Sequence, residues 1–322
     1  MSIQTKNKFI KKMRMKQKII PPIPIELLED EFTSSTLARI WRGLEIHFVR
    51  KQTSPYTILE VNRISSLMFS LSHMDGDEFD DAYPYIVVYD RENKEVLAFY
   101  RYALCRDMIN DRHNIRLSTF HYYRFSHEFI ENVLPYSIEL GRSVVNASAK
   151  RYKEGLQAVW TGLGVLVYEY TLHAKGPKIQ YLFGKFSLQW KIYDEAARAM
   201  ILYLFKKYFP PMCGNDEKIY ITPREKFITS LDFSLAMSIM DGRDYKSDRT
   251  KLLKYLTDRK LPRPQLAESY ANIGGLRSFE TVMNTHLESD ETGILQNIEQ
   301  IDASYIKRFV DGYVSTNSAL FV

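Results

Sequence analysis

The chain has 322 residues, 45% of them hydrophobic, with 22 Tyr, 18 Phe and a net charge of +5. That is an ordinary soluble globular composition, long enough for one large α/β domain with extensions or for two modest domains. Cys105 and Cys213 are the only cysteines, which suggests neither a disulfide framework nor a cysteine metal site and suits a reducing cytosol. No apolar run has the length or flanks of a secretion signal or a membrane span, so neither is expected.

Charge is concentrated at the start. Residues 1–24 hold seven basic side chains (Lys6, Lys8, Lys11, Lys12, Arg14, Lys16, Lys18) and no acid, ending at Pro21, Pro22 and Pro24. Such a flexible arm can attract anionic lipid, an acidic carrier protein or nucleic acid, or simply solubilise the chain. From Ile25 to Arg50 the apolar residues Leu37, Ile40, Trp41, Leu44 and Phe48 recur at helical spacing, so residues 25–56 read as a helical N-terminal extension. Pro55 opens a second helix through Ile58, Val61, Ile64, Leu67, Met68 and Leu71. Tyr85–Tyr89 and Val96–Leu104 form an antiparallel hairpin about the turn Asp90–Lys94. Residues 106–118 read as a loop.

Ile138–Val145 is the next strand and Glu154–Tyr170 a buried helix, followed by strand Ile179–Phe186 and helix Asp194–Tyr208. The order predicts an α/β fold with a mixed central sheet flanked by helices, its core at 57–210. Residues 211–322 form an α+β C-terminal extension packed on that core. Helices are expected near Lys251–Asp258 and Gln265–Tyr270, and strands near Phe279–Met283 and Ile294–Ile298.

Two polar signatures stand out in this apolar setting. Asp75, Asp77 and Asp80 fall between a helix and a strand, where a turn can converge carboxylates on a cation, an amine or a guanidinium; a solvated acidic turn has the same spacing. Glu139 and Arg142 lie on one strand and face opposite sides unless Gly141 introduces a bulge. A bulge would offer backbone N–H groups to a developing oxyanion, and the plain alternative is a surface ion pair. No His-x-x-x-His or Cys-x-x-Cys spacing supports a metal, and none is expected.

The run of hairpin, Glu-x-x-Arg strand, helix, strand and helix resembles the GNAT acyltransferase superfamily. Asp75-x-Asp77-x-x-Asp80, Arg101 and Glu139-x-x-Arg142 together are similar to the charged pattern of acyl-homoserine-lactone synthases. Asp77-Glu78-Phe79-Asp80, Glu139-Leu140-Gly141-Arg142-Ser143, Val159-Trp160-Thr161-Gly162-Leu163-Gly164 and Tyr193-Asp194-Glu195-Ala196-Ala197-Arg198 look more like the hemolysin-type, ornithine-lipid branch of bacterial N-acyltransferases, including its glycine-acylating relatives. Glu291-Thr292-Gly293-Ile294-Leu295 looks like that branch's tail. The resemblance spans roughly Ile58 to Val310.

It implies transfer of a 3-hydroxy fatty acyl group from acyl carrier protein to the α-amine of glycine, serine or ornithine, giving a lyso-aminolipid. By that resemblance Glu139 is a base or amine orienter, and Tyr193 an acid for the leaving thiolate. Backbone N–H groups of Arg142, Ser143 and Val144 would polarise the thioester, and Asp75, Asp77, Asp80, Arg101 and Arg142 would bind substrate. The stretch Arg151 to Ala158 departs from the family's pyrophosphate loop, which favours a phosphopantetheine thioester on acyl carrier protein over acyl-coenzyme A. Lys150, Arg151, Lys153 and Gly155 would then meet the carrier. A cytoplasmic enzyme is implied, peripheral on the inner membrane through residues 1–24. An autoinducer-type synthase and a basic, non-catalytic nucleic-acid module are the rivals; the second leaves the clustered acids without a purpose.

Overall fold

The computed structural model describes residues 18–321 apart from 112–113, 173–175, 215–217 and 243. In chain order the elements are α1 (Ile25–Glu31), β1 (Leu37–Trp41), β2 (Leu44–Val49), α2 (Pro55–Met68), β3 (Tyr85–Asp90), β4 (Glu95–Leu104), β5 (Ile109–Asp111), β6 (Asn114–Ile115), β7 (Tyr123–Phe125), α3 (His127–Asn132), β8 (Ser137–Val145), α4 (Tyr152–Val167), β9 (Tyr181–Gln189), α5 (Glu195–Tyr208), β10 (Ile221–Pro223), α6 (Ser234–Ile239), α7 (Tyr245–Asp258), α8 (Gln265–Asn272), β11 (Leu276–Asn284), β12 (Ser289–Asn297) and α9 (Ala303–Val310). The chain forms two compact units. The first takes residues 18–101, Arg142–Leu166 and 312–321, the second Tyr102–Gly141 and Val167–Asp311. Most of the basic arm, residues 1–17, lies outside the described residues.

In the first unit β1, β2, β3 and β4 run antiparallel in sequence order. The expected helix over Ile25–Arg50 stops at Glu31, and the rest is the β1–β2 hairpin. Its two-residue turn explains the difference: Arg42 and Gly43 both take positive φ, 51° and 77°, as a tight hairpin turn with the twist of the flanking strands requires. Leu44, Ile46 and Phe48 are buried at alternate positions of β2, a period of two hidden inside the apparent helical spacing. Every residue of β3 is buried, because both of its faces are covered. Tyr85, Val87 and Tyr89 join the apolar cluster of Leu28, Ile58, Val61, Ile64, Phe99 and Val144. Each fully buried aliphatic side chain of α2 contributes about 2 kcal/mol. The other face is closed by α4, where a Cβ on Gly162 would lie 2.4 Å from Ile86 Cγ2, so glycine sets the depth of that contact.

In the second unit Ser137–Leu140 of β8 pair in parallel with Tyr181–Gly184 of β9. β9 pairs antiparallel with β12, and β12 with β11. The sheet is therefore mixed, with its parallel pair joined through α4, as the strand–helix–strand order predicts. β12 begins at Ser289, earlier than its apolar residues announce. Its buried Asp290 and Glu291 are paired with Arg198 and Lys185, so charged residues occupy interior strand positions. The stretch expected as a loop after Arg106 contains the short antiparallel pair β5–β6. Helix α7 starts at Tyr245, where the Asp244 side chain accepts from Ser247 N–H as a cap. Among the described residues no helix is long and apolar enough to cross a membrane.

Two glycines of this unit have opposite sensitivities. A Cβ on Gly184 would sit 2.3 Å from the Leu140 carbonyl oxygen, whereas one on Gly141 would meet nothing within 4 Å. Gly184→Ala should therefore destabilise by about 2 kcal/mol and Gly141→Ala by less than about 0.5 kcal/mol. Urea melts at unchanged m-value would show this as a shifted midpoint for the first substitution alone.

Candidate active site

The site begins on α2. Asn62, Ser65 and Ser66 stand at i, i+3 and i+4 among buried apolar neighbours and form a polar stripe on the inward face of the helix. The Ser66 hydroxyl donates to the Asn62 carbonyl (2.7 Å) and accepts from Asp75 N–H (2.8 Å). Ser65 donates to Asp75 Oδ2, and Asn62 Nδ2 donates to Asp80 Oδ2 at 2.9 Å. The stripe fastens the aspartate loop to the helix. The loop then turns through a short 3₁₀ helix at Glu78–Asp81, in which Asp77 Oδ1 accepts from Phe79 N–H and Asp80 Oδ2 accepts from Asp77 N–H, a reciprocal capping arrangement.

Two arginines gather the three aspartates, Arg101 against Asp77 and Asp80 and Arg142 against all three. Arg101, on β4, donates through one guanidinium nitrogen to Asp77 Oδ1 (2.6 Å) and Asp80 Oδ1 (2.9 Å). Arg142, on β8, reaches Asn62 Oδ1 (2.7 Å), Asp77 Oδ2 (3.0 Å) and Asp80 Oδ1 (3.2 Å), with Asp75 Oδ1 at 3.7 Å. The Tyr85 hydroxyl donates to Asp80 Oδ1 at 2.6 Å. Asp80 is only 2% exposed. Burial alone would raise its carboxyl, but the guanidinium groups of Arg142 and Arg101, then Tyr85 and Asn62, outweigh that and hold it below the usual carboxylate range. The side chain of Asp77 is 35% exposed against 14% for Asp75 and 2% for Asp80, so Asp77 presents the cluster's negative charge to solvent. Three carboxylates against two guanidinium groups leave an excess of one negative charge.

Arg142 carries a second feature. Its backbone lies in the left-handed region at φ 48°, and the β8–β9 ladder ends two residues earlier, at Leu140. The expected irregularity in β8 exists, but it falls on Arg142 rather than on Gly141. A non-glycine residue there costs about 1–2 kcal/mol, and its side-chain bonds to Asn62, Asp77 and Asp80 offset the strain. Ser143 follows half-buried, while Val144 is buried in the apolar cluster.

Glu139 lies in the second unit, fully buried on β8. Its Oε1 accepts from Thr119 N–H (2.7 Å) and the Ser118 hydroxyl (3.2 Å), and its Oε2 from Ser118 N–H (3.1 Å). The carboxylate thus holds the turn before the 3₁₀ segment Thr119–His121. Tyr193 precedes α5 and donates its hydroxyl to the Pro262 carbonyl at 3.1 Å. Burial, then Glu268, pushes that hydroxyl up to about 12, so its proton is committed to a backbone acceptor. Arg151 is bound to Glu154 through two nitrogens and lies 3.8 Å from Asp90. Lys150 Nζ donates to the neutral Asn93 side chain, and Lys153 is exposed. A Cβ on Gly155 would lie 3.2 Å from the Leu97 carbonyl, so that glycine serves close helix–strand packing.

A model of the acetyltransferase (GNAT) domain matches residues 64–161. A glycine N(alpha)-acyltransferase of Bacteroides thetaiotaomicron is 30% identical over 305 residues, 88% of this chain and 87% of that protein. The chain belongs to this GNAT family of N-acyltransferases. A second glycine N(alpha)-acyltransferase, from Phocaeicola vulgatus, is 29% identical over 92% of this chain and 94% of its own length. The crystal structure of the AHL synthase LasI aligns at a TM-score of 0.32 and 13% identity, over 55% of this chain and 87% of that one.

The family motifs divide between the charged cluster and the architecture of this GNAT enzyme. The aspartates of the loop, Arg101 and Arg142 build the charged cluster. Gly162 seats α4, Asp194 caps α5 through Ala197 N–H, and Arg198 pairs with Asp290. Asn62, Ser65, Ser66 and Tyr85 were not legible as partners of the cluster from spacing. The polar i, i+3, i+4 stripe on an otherwise apolar helix face is the signal that points to the first three.

Because the Asp80 carboxyl is depressed in the folded protein, its stabilisation is fully present above the ordinary carboxylate pKa, about 3.9, and is lost as pH falls through the folded value. Glu45 behaves likewise: burial opposes ionisation, but His47 and Arg91 lower it to about 2. Asp80→Asn should lower stability at neutral pH by about 3 kcal/mol and flatten the fall below about pH 4. Chemical melts of both proteins along a pH series give this directly; equal acid limbs would contradict the assignment.

Proposed function

We propose that this enzyme transfers a fatty acyl group, 3-hydroxylated, from acyl carrier protein to the α-amine of glycine, producing an acylated amino acid with lipid character. The observation that carries the reading is a buried charged cluster with one excess negative charge, exposed at Asp77, in a chain related along most of its length to enzymes named for acylating glycine. The excess charge suits an incoming ammonium, and Asp77 is its docking group.

Acyl transfer needs three things from the protein. The amine must be oriented and lose a proton, which passes to solvent at the open edge of Asp77. As nitrogen attacks, the thioester carbonyl becomes an oxyanion, and backbone N–H groups of Arg142, Ser143 and Val144 are its proposed donors. The C–S bond then breaks, and the thiolate of the phosphopantetheine arm leaves and takes a proton from solvent. Glu139 is assigned the holding of the 118–119 turn rather than proton transfer, since it is fully buried and accepts from Ser118 and Thr119. Tyr193 is assigned to packing, since its hydroxyl already donates to the Pro262 carbonyl. Lys150 and Lys153 are the cations assigned to an acidic carrier, whereas Arg151 is neutralised by Glu154. Residues 1–24 are assigned to anionic lipid, where each basic residue near the surface is worth about 1 kcal/mol.

Purified protein mixed with 3-hydroxyacyl carrier protein should release free carrier thiol with glycine in preference to serine, ornithine and lysine. Silence with all four amines would sink the reading. Asp77→Asn should raise KM for glycine about tenfold, about 1.4 kcal/mol, with a smaller effect on kcat. Removing residues 1–24 should weaken flotation with anionic vesicles and spare turnover on the soluble thioester; loss of turnover would instead make the arm a carrier-docking segment.

A further inference from the structure

The shortest hydrogen bond that Arg142 makes in the cluster goes to a neutral group. Its guanidinium lies 2.7 Å from Asn62 Oδ1, against 3.0 Å to Asp77 and 3.2 Å to Asp80. The same carboxamide donates through Nδ2 to Asp80 Oδ2 at 2.9 Å. Its orientation is fixed by chemistry, because a guanidinium can only donate and a carboxylate can only accept. Asn62 is 6% exposed, and the loop closes tightly upon it, since a Cβ on Gly76 would lie 3.2 Å from Nδ2. No other side chain of this size both donates to the acid and accepts from the base. An aspartate lacks the donor, a leucine lacks both, and a glutamine is one methylene too long for the gap.

We propose that Asn62 is a positioning residue of the acyl transfer: its amide couples Asp80 to Arg142 and thereby holds the Arg142 backbone in its left-handed conformation. The inference rests on the reading above that the backbone after Gly141 meets the thioester. The strain at φ 48° persists only while the side chain is anchored, and Asn62 is the anchor that leaves the negative charge of the cluster unspent. Asn62 touches no reacting atom. It acts through Arg142.

Two substitutions separate positioning from bulk stability. Asn62→Asp keeps the shape but sets two carboxylate oxygens about 2.9 Å apart, which forces them to share a proton. The protonated form restores a donor to Asp80 and the ionised form repels it, so the variant is native-like at low pH and impaired at high pH. Asn62→Ala removes both bonds at every pH.

Thiol release with glycine, measured from about pH 6 to about pH 9, should show the kcat ratio of Asn62→Asp to wild type falling at least about tenfold as pH rises. Asn62→Ala should lose about tenfold in kcat with an unchanged profile. Amide hydrogen exchange, which needs no activity, should quicken in Asn62→Ala across residues 141–145 and not across β9. Uniform exchange along the chain, or an Asn62→Asp ratio constant within about twofold, would overturn the proposal. A wild-type enzyme inactive on glycine would instead overturn the assigned function, leaving the exchange experiment to decide the role of Asn62.

Discussion

One buried carboxylate organises the first unit. Asp80 accepts from Tyr85 on β3, Arg101 on β4, Arg142 on β8, Asn62 on α2 and the Asp77 N–H of its own loop. An isolated carboxylate at that depth would give up its charge, because the penalty of removing it from water reaches several kcal/mol. Together these donors keep it ionised. The elements that supply them are thus bound to one register: if β4 slipped by a single residue, Arg101 would turn to the opposite face and the carboxylate would lose a guanidinium.

Such a network is a poor way to gain stability and a good way to gain geometry. Replacing a buried ion cluster by apolar residues of equal volume is often neutral or favourable, and the neighbouring cluster of Leu28, Ile58, Val61, Tyr85 and Phe99 would accommodate such residues. What apolar packing cannot do is hold Arg142 at positive φ or leave a carboxylate edge at the surface. The strain of about 1–2 kcal/mol at Arg142 is offset by charge-assisted hydrogen bonds that are individually worth about as much. The cost and the gain sit on the same residue.

Much of the architecture was legible because periodicity and caps mark it. The strands β3, β4, β8 and β9, the helices α2, α4 and α5, and the parallel pair bridged by α4 all follow from apolar spacing and turn residues. The β1–β2 hairpin was not legible, because its turn is Arg42-Gly43 rather than Asn-Gly or Asp-Gly, and the strand residues on either side mimic a helical repeat. Within the site, the aspartates and arginines stood out since ionised residues rarely occupy apolar surroundings. Asn62 and Tyr85 did not, for an amide and a phenol in a helix and a strand carry no charge to betray them. Spacing could announce the charges, and only geometry could identify the neutral groups between them.

Exposure ranks the acids where sequence could not. Glu139 and Asp80 are as charged as Asp77 in composition, yet each already accepts hydrogen bonds through both oxygens and is at most 2% exposed. A carboxylate at that depth is shielded from an incoming cation. Asp77 differs: it caps its turn and pairs with both arginines, yet its side chain remains 35% exposed. The excess negative charge belongs to the cluster as a whole, and the Asp75–Asp77 edge is where the cluster is open to solvent. The buried acids therefore set the shape of the cluster, and on the proposed function the exposed one attracts the amine.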